Sequence, residues 1–333
     1  MLYSILAQAG PTVKTADSIT STYNIPTAIL KCRPGTRFLI LEMGVEYQGD
    51  MDFYNWLVAP DIALITGIYL THTSFLGSLE SVATEKSKIL KLATVAVLNA
   101  DDPLCLSLVH PQTHYFGFTS KANFARIHSS TITPNLNTFI DLEIGESRFP
   151  VTLPLLGSHF AVNAAAAAAV ATLLGCSPGL ISSGLSEYHL PPHRLQPLRL
   201  PSGMLFLDDT YNASPQAAFA SLDTLIFLAR LLNKTPVFVF GQMNELGRYE
   251  EPAHTEIGEY IRKNDIRYLF AIGPATDHTI TAAHVGHRYP NLAVLESDLR
   301  HFLRASHIVL FKSSRSWHMD QLVENLTKPN SSV

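Results

Sequence analysis

The sequence predicts an α/β protein of two domains, each built on a mostly parallel sheet, with a small antiparallel sheet added in the first. Three observations predict it. Continuous apolar runs recur along the chain: RFLILEMG (37–44), DIALITGI (61–68), TVAVLNA (94–100), GMLFLDD (203–209), TPVFVFGQM (235–243), YLFAIG (268–273) and HIVLFKS (307–313). Helical patterns lie between many of them: SLESVATEKSKILKL (78–92), SPQAAFASLDTLIFLARLL (214–232), HTEIGEYIRK (254–263) and MDQLVENL (319–326). Apolar strands alternating with helices indicate parallel sheets covered on both faces, joined by right-handed crossovers. Residues 120–155 differ: they are rich in Thr, Ser and Asn with short alternating runs, the pattern of small antiparallel strands.

The remaining segments fill in this frame. FAVNAAAAAAVATLLG (160–175) is the most apolar stretch, too short to span a bilayer easily and interrupted by Asn163, so it reads as a buried core helix. The proline-rich YHLPPHRLQPLRLPSG (188–203) reads as a linker, which divides the chain into domains 1–195 and 196–333. The tail KPNSSV is expected to fray. Hydrophobic residues make up 47% and charged residues 16%, a composition that buries a core rather than staying disordered. The formal net charge of −4, with no basic block, gives no reason to invoke nucleic acid. Cys32, Cys105 and Cys176 are scattered and odd in number, which fits neither a metal site nor a disulfide framework and suits a reducing cytoplasm. The start, MLYSILAQAG, has no basic leader, so neither secretion nor membrane insertion is expected.

In open α/β sheets ligands gather beyond the carboxyl ends of the strands, so the polar residues there are the candidates. Glu42 closes the first strong strand in LEMG, His72 follows the second, and Asn99, Asp101 and Asp102 follow the third. LDDTYNASP (207–215) places Asp208 and Asp209 at a strand end with Tyr211 and Asn212 just after. Lys312, Ser314 and Arg315 follow the last strand in FKSSRSW. A strand-end acid is about as often a cap or turn former as a ligand-binding group. Ser214 and Pro215 make a good helix start without any function. That start does not account for two adjacent acids followed by Tyr-Asn, and carboxylates in such a place can hold ribose hydroxyls or Mg²⁺. From composition alone, Lys86 in EKSK reads as part of a solvated helix face. His159 and Asn163 lie four apart on one helix face; Asn is a poor metal ligand, so a polar pair lining a cleft fits better, and an Asn amide can read adenine.

Taken together these segments resemble the Mur ligases, ATP-dependent amide-forming enzymes of peptidoglycan synthesis, and within them the type that adds D-alanyl-D-alanine to a UDP-muramoyl-tripeptide. LDDTYNASP is similar to that type's DD-[ST]-YNANP turn, VFGQMNELGRYEEPAHTEIG (239–258) to its G-D-M-x-E-L-G…H-x-x-[IV]-G stretch, and GSHFAVNAAAAAAVATLLG to its G-x-H-x-x-x-N-A-x-A-A helix. LEMG, THTSFLGSLESVA, LNADDP and FKSSRSW fall in the family's order, so the likeness covers nearly the whole chain. The resemblance implies a central ATPase-type domain followed by a Rossmann-like C-terminal domain, with ATP and Mg²⁺ as cofactors, in a cytoplasmic monomer. It implies that Glu42 and His72 help bind Mg²⁺, that Lys86 becomes a carbamate serving a second Mg²⁺, and that His159 and Asn163 line the nucleotide site with Asn163 on adenine. It further implies that Arg194 in PPHRL reaches the phosphates, that Asp209 holds the ATP ribose, and that Tyr211 and Asn212 face the amine substrate. Lys312, Ser314 and Arg315 would border the amine and acyl-phosphate sites.

The sequence also departs from the family. No glycine is followed by lysine, so the G-x-x-x-x-G-K-[ST] phosphate loop is absent, and residues 1–30 resemble the helix and loop that come just after it. The family's N-terminal UDP-binding domain is missing as well, and the resemblance therefore implies weak or no turnover for these 333 residues alone. STYN (21–24) stands where an Asn-rich loop is expected, Gly67 for an Asn, Lys88 for an acid, Gln242 for an Asp and Ser313 for a Gly. Amide ligases of the folylpolyglutamate and cyanophycin types, and a non-catalytic binding or scaffold protein of the same fold, stay open as alternatives.

Overall fold

The computed structural model describes residues 1–16 and 21–328. All but the first residue of the expected frayed tail lies outside the described residues. The chain divides into two compact units, Met1–His189 and Leu190–Val333. The strands in chain order are β1 (Thr12–Lys14), β2 (Phe38–Ile40), β3 (Ile62–Ile65), β4 (Val95–Asn99), β5 (Thr113–Gly117), β6 (Ala125–Ile132), β7 (Thr138–Ile144), β8 (Ser147–Leu153), β9 (Gln196–Arg199), β10 (Leu205–Asp209), β11 (Thr235–Gly241), β12 (Tyr268–Ile272), β13 (His287–Tyr289) and β14 (His307–Lys312).

In the first unit β1 and β2 form a two-stranded parallel pair. A six-stranded sheet runs β3-β4-β5-β6-β7-β8, parallel from β3 to β6 and antiparallel from β6 to β8. The antiparallel strands expected over 120–155 are thus a continuation of the parallel sheet, joined through β5–β6, rather than a separate layer. The helix His159–Leu173 packs on this sheet and buries Phe160, Ala161 and the run Ala164–Ala171. Its alanines let the backbone lie close to the strands, and the core reading of this stretch holds. Among the described residues no helix is long and apolar enough to cross a membrane. Gly184, on the helix Pro178–Ser186, allows a second close approach: a Cβ there would lie 2.6 Å from the Ile5 Cα.

The second unit holds a six-stranded sheet in the order β13-β12-β11-β14-β10-β9, parallel throughout except for the edge strand β9. β14 is buried at every position and lies between β11 and β10, which explains its unbroken apolar run. The helices Pro215–Leu231, Glu250–Lys263, Thr276–Ala283, Leu292–Phe302 and Met319–Thr327 alternate with the strands. Phe206, Val237, Val239, Val309 and Phe311 pack against Leu295, Leu299, Leu322 and Val323. The expected linker 188–203 is only partly irregular, because Gln196–Arg199 pairs antiparallel with β10. Its Pro197 is tolerated because β9 is an edge strand. Leu190–Leu195 groups with the second unit because His193 and Leu195 bond to the β10 acids.

Candidate functional site

At the strand ends of the first unit, β2 stops at Ile40 and the chain turns through Glu42. The Glu42 amide donates to Thr15 Oγ1 at 3.0 Å, and its carbonyl accepts from Ser21 Oγ at 3.3 Å. These backbone bonds fix the turn and leave the carboxylate exposed. His72 is half-buried at φ 54, at the start of the short helix Thr73–Leu76. That left-handed conformation is uncommon for a residue with a Cβ and marks a sharp, fixed turn.

Lys86 is on the helix Leu79–Ser87 but does not sit on a solvated face. Its Nζ lies 3.4 Å from the Gly67 carbonyl, just beyond the end of β3. Burial lowers its pKa from the usual lysine value, while the charge of the nearby Asp102 carboxylate acts the other way. Asp102 is itself committed: one oxygen accepts from the Ile68 amide at 2.6 Å and the other from the Leu104 amide at 2.9 Å. Burial and Asp102 push the Cys105 thiol up to about 12, so it stays an inert thiol. Asn99 and Asp101 are spent locally: Asn99 bonds Thr66 O and the Asp101 amide, and Asp101 accepts from the Phe118 and Thr119 amides. Lys88, which stands for a family acid, pairs with Asp52 at 2.5 Å and with Glu85 at 2.7 Å. Glu85 also accepts from the Gly49 and Met51 amides, which ties the start of the helix Asp50–Leu57 to this region. His159 is half-buried at the head of its helix, its ring 4.1 Å from that of Phe160, and Asn163 is exposed one turn on. Among the described residues no group of three or more His, Cys, Asp or Glu is placed to hold a metal.

In the second unit the structure brings most of the expected residues together. Asp209 Oδ2 lies 2.5 Å from Lys312 Nζ, Ser221 Oγ donates to the same oxygen at 2.5 Å, and Oδ1 accepts from the Leu195 amide at 3.1 Å. Lys312 also donates to the Asn212 carbonyl at 3.2 Å. The Lys312 side chain is 2% exposed, so its ammonium is inside the protein rather than on an open face. There it holds Asp209 and the Asn212 carbonyl in place. Asp208 is turned the other way. Its Oδ1 accepts from the Thr210 hydroxyl at 2.7 Å, and its Oδ2 meets His193 Nδ1 at 2.7 Å. The Arg194 guanidinium stacks 3.9 Å over the Tyr211 ring. Asn212 is exposed, and its Oδ1 accepts from the Ala213 amide at 2.8 Å. The helix Pro215–Leu231 does begin after Ser214, although Ser214 makes no capping bond.

Ser314 is buried and its Oγ accepts from the Asn244 amide at 2.8 Å, while Arg315 is exposed and pairs with Asp320 at 2.8 Å. Gln242 Oε1 accepts from the Ala275 amide and its Nε2 donates to Glu250, so it fastens the loops after β11 and β12. His254 is wholly buried: Nε2 accepts from the Met243 amide at 3.1 Å and Nδ1 donates to Thr279 Oγ1 at 3.0 Å. Burial lowers its pKa to about 4, so it is a neutral structural histidine. Gly258, in the same motif, permits contact between helices, since a Cβ there would lie 2.3 Å from the Thr279 carbonyl. Sequence reasoning missed His193 and Ser221. The two adjacent acids in LDDTY were a signal that two sets of partners had to exist, but nothing local named them.

Comparison with known proteins gives the following. A model described as the Mur ligase middle domain matches residues 1–171, and one described as the Mur ligase glutamate ligase domain matches residues 193–315. A UDP-N-acetylmuramoyl-tripeptide–D-alanyl-D-alanine ligase of Buchnera aphidicola subsp. Baizongia pistaciae is 31% identical over 335 residues, covering 98% of this chain and 72% of the relative. The ligase of the same name from Escherichia coli K12 is 29% identical over 334 residues, covering 98% and 73%. Among solved structures, MurF from Acinetobacter baumannii superposes with a TM-score of 0.88 at 26% identity over 98% of this chain and 73% of that one. MurF from Thermotoga maritima, solved in complex with ADP, gives 0.84 at 25% identity over 97% and 74%.

Proposed function

Because the chain belongs to the Mur ligase family, we propose that it is an ATP-dependent carboxylate–amine ligase of the type that joins D-alanyl-D-alanine to a UDP-muramoyl-tripeptide. The observation that carries this reading is the match, along 98% of the chain, to ligases of that name. In the proposed reaction a substrate carboxylate oxygen attacks the γ-phosphorus of ATP; the new O–P bond forms as the β–γ bridge breaks and ADP leaves. The dipeptide amine then attacks the acyl carbon, the C–N bond forms, phosphate departs with the bonding pair, and the nitrogen gives up one proton to solvent to leave the neutral amide. Both steps gather negative charge, so fixed cationic and amide groups aimed at the oxygens are what the protein must supply. ATP and UDP-linked substrates would place this work in the cytoplasm, and we propose a monomer there.

Each residue has a part in this reading. Asn163, exposed on an otherwise buried helix, offers its amide to adenine, and His159 lines the same face. Asp209 has lone-pair capacity left on Oδ1 after the Leu195 bond and takes a ribose hydroxyl. Arg194 swings from Tyr211 to phosphate oxygens. Tyr211, Asn212 and Arg315 meet the amine substrate, and Ser314 fixes the loop beside them. The depressed pKa of Lys86 leaves more neutral amine, which can add to CO₂ with loss of one proton to give an anionic carbamate. For Mg²⁺ the fit is partial. The open carboxylate of Glu42 suits a hard cation that takes one or two protein oxygens and completes its shell with phosphates and water. The imidazole of His72 is a less suitable donor. When bound with ATP, the cation would offset phosphate charge.

The test is mass-spectrometric detection of ligated product from UDP-muramoyl-tripeptide, D-alanyl-D-alanine, ATP and Mg²⁺. A product heavier by one dipeptide residue unit, absent with L-alanyl-L-alanine, is expected. A second reading is favoured by one observation: these 333 residues contain no Gly-Lys pair and so no P-loop signature. In it the chain is a non-catalytic binding or scaffold protein of the same fold, and neither ATP binding nor ligated product would be detected.

A further inference from the structure

We infer that His193 is a positioning residue for Arg194, acting through Asp208, and that the two adjacent acids of LDDTY together form the clamp that sets this arginine. The inference rests on the proposed contact between Arg194 and phosphate. Arg194 lies between two residues with left-handed backbone, His193 at φ 64 and Leu195 at φ 51. Residues with a Cβ rarely adopt this region, and it persists only where neighbours enforce it. Here both neighbours are pinned. His193 Nδ1 meets Asp208 Oδ2 at 2.7 Å, and because a carboxylate only accepts, Nδ1 carries the proton. The His193 carbonyl accepts from the Tyr211 amide at 3.0 Å. On the other side, the Leu195 amide donates to Asp209 Oδ1 at 3.1 Å. One acid therefore holds the residue before Arg194 and the next acid holds the residue after it.

The acids are themselves braced. Asp208 is 4% exposed, and its second oxygen takes the Thr210 hydroxyl and amide. Asp209 is fixed by Lys312 and Ser221. The arginine side chain is left exposed and stacked on Tyr211, three residues beyond Asp208 on the same turn. The result is a rigid backbone carrying a side chain with one job left open. A long, flexible arginine loses less entropy on meeting phosphate when its Cα is fixed in advance. This gives the otherwise puzzling Asp-Asp pair a division of labour, and it makes His193 matter without touching a ligand.

The experiment is a double-mutant cycle on the full chain, with two readouts. The first needs no ligand: the ring-current shift that Tyr211 imposes on the Arg194 side-chain protons, read by NMR. His193→Ala should abolish it, and His193→Asn should restore most of it, because the Asn amide can donate to Asp208 and tolerates positive φ. The second is ATP·Mg²⁺ affinity by calorimetry in wild type, His193→Ala, Arg194→Ala and the double variant. Each single change should weaken binding about tenfold, and the double variant should be no weaker than Arg194→Ala alone. An unchanged ring-current shift in His193→Ala, or additive losses in the cycle, would overturn the positioning role while leaving the nucleotide site standing. Absence of ATP binding in the wild type would remove the phosphate role of Arg194, and the inference with it.

Discussion

Asp208 and Asp209 in the second unit and Glu42 in the first all lie where a strand gives way to a turn, yet their carboxylates meet different surroundings. The two β10 acids are held on every side, by His193, Thr210, Lys312, Ser221 and the Leu195 amide. Among the described residues Glu42 is held through its backbone, and its carboxylate stands exposed. Asn163 is likewise exposed on a helix whose other faces are buried. The difference separates side chains already committed to partners inside the fold from side chains left open to solvent. Changes to the first kind should cost stability; changes to the second should cost binding and little else.

The largest effect is expected at Lys312. Lys312→Met removes the partner of a carboxylate that is 13% exposed and should destabilise the second unit by about 3–5 kcal/mol, read by urea unfolding. A loss under about 1 kcal/mol would mean that Asp209 is well solvated and that the contrast with Glu42 is false. The next effect depends on pH. His254 titrates near 4 when folded and near its ordinary value of 6.5 when unfolded. The unfolded state therefore binds the extra proton between those values, so stability is full above about 6.5 and falls as pH drops toward 4, by about 3 kcal/mol in all. His254→Gln should flatten that slope in a pH series of urea midpoints. Ser221→Ala should cost about 1.5–3 kcal/mol, the range for a hydrogen bond to a charged group.

What the sequence made legible follows the same division. Strands β4, β10, β11 and β14 announced themselves because nearly all their positions are buried, and a strand buried on both faces reads as a near-continuous apolar run. The edge elements β1, β9 and β13 are three or four residues long, with polar or proline residues that neither core nor pattern requires, and they could not be read. The ligand-facing candidates could be named because a carboxylate or amide at a strand end has few other uses. Their partners could not. Asp209 and Lys312 are 103 residues apart, and His193 and Asp208 are 15 apart across a strand and turn that read as a linker. Lys86 read as a solvated residue because helical spacing alone does not say which face meets the sheet.

At the small end of the scale, Glu42→Gln should leave urea stability within about 0.5 kcal/mol, as surface substitutions do, while weakening Mg²⁺-dependent ATP binding. Lys86 offers a readout of its own: in ¹³C-bicarbonate a carbamate carbon signal should appear and grow with pH, and Lys86→Arg should lack it without loss of fold.

The most direct measurement is calorimetric titration of ATP·Mg²⁺ into the wild-type chain and into Asn163→Ala, with urea stability of both run alongside. The account predicts saturable binding to the wild type, about tenfold weaker binding to the variant, and equal stability. No heat from the wild type at millimolar ATP, or a variant that binds as well as the wild type, would contradict it.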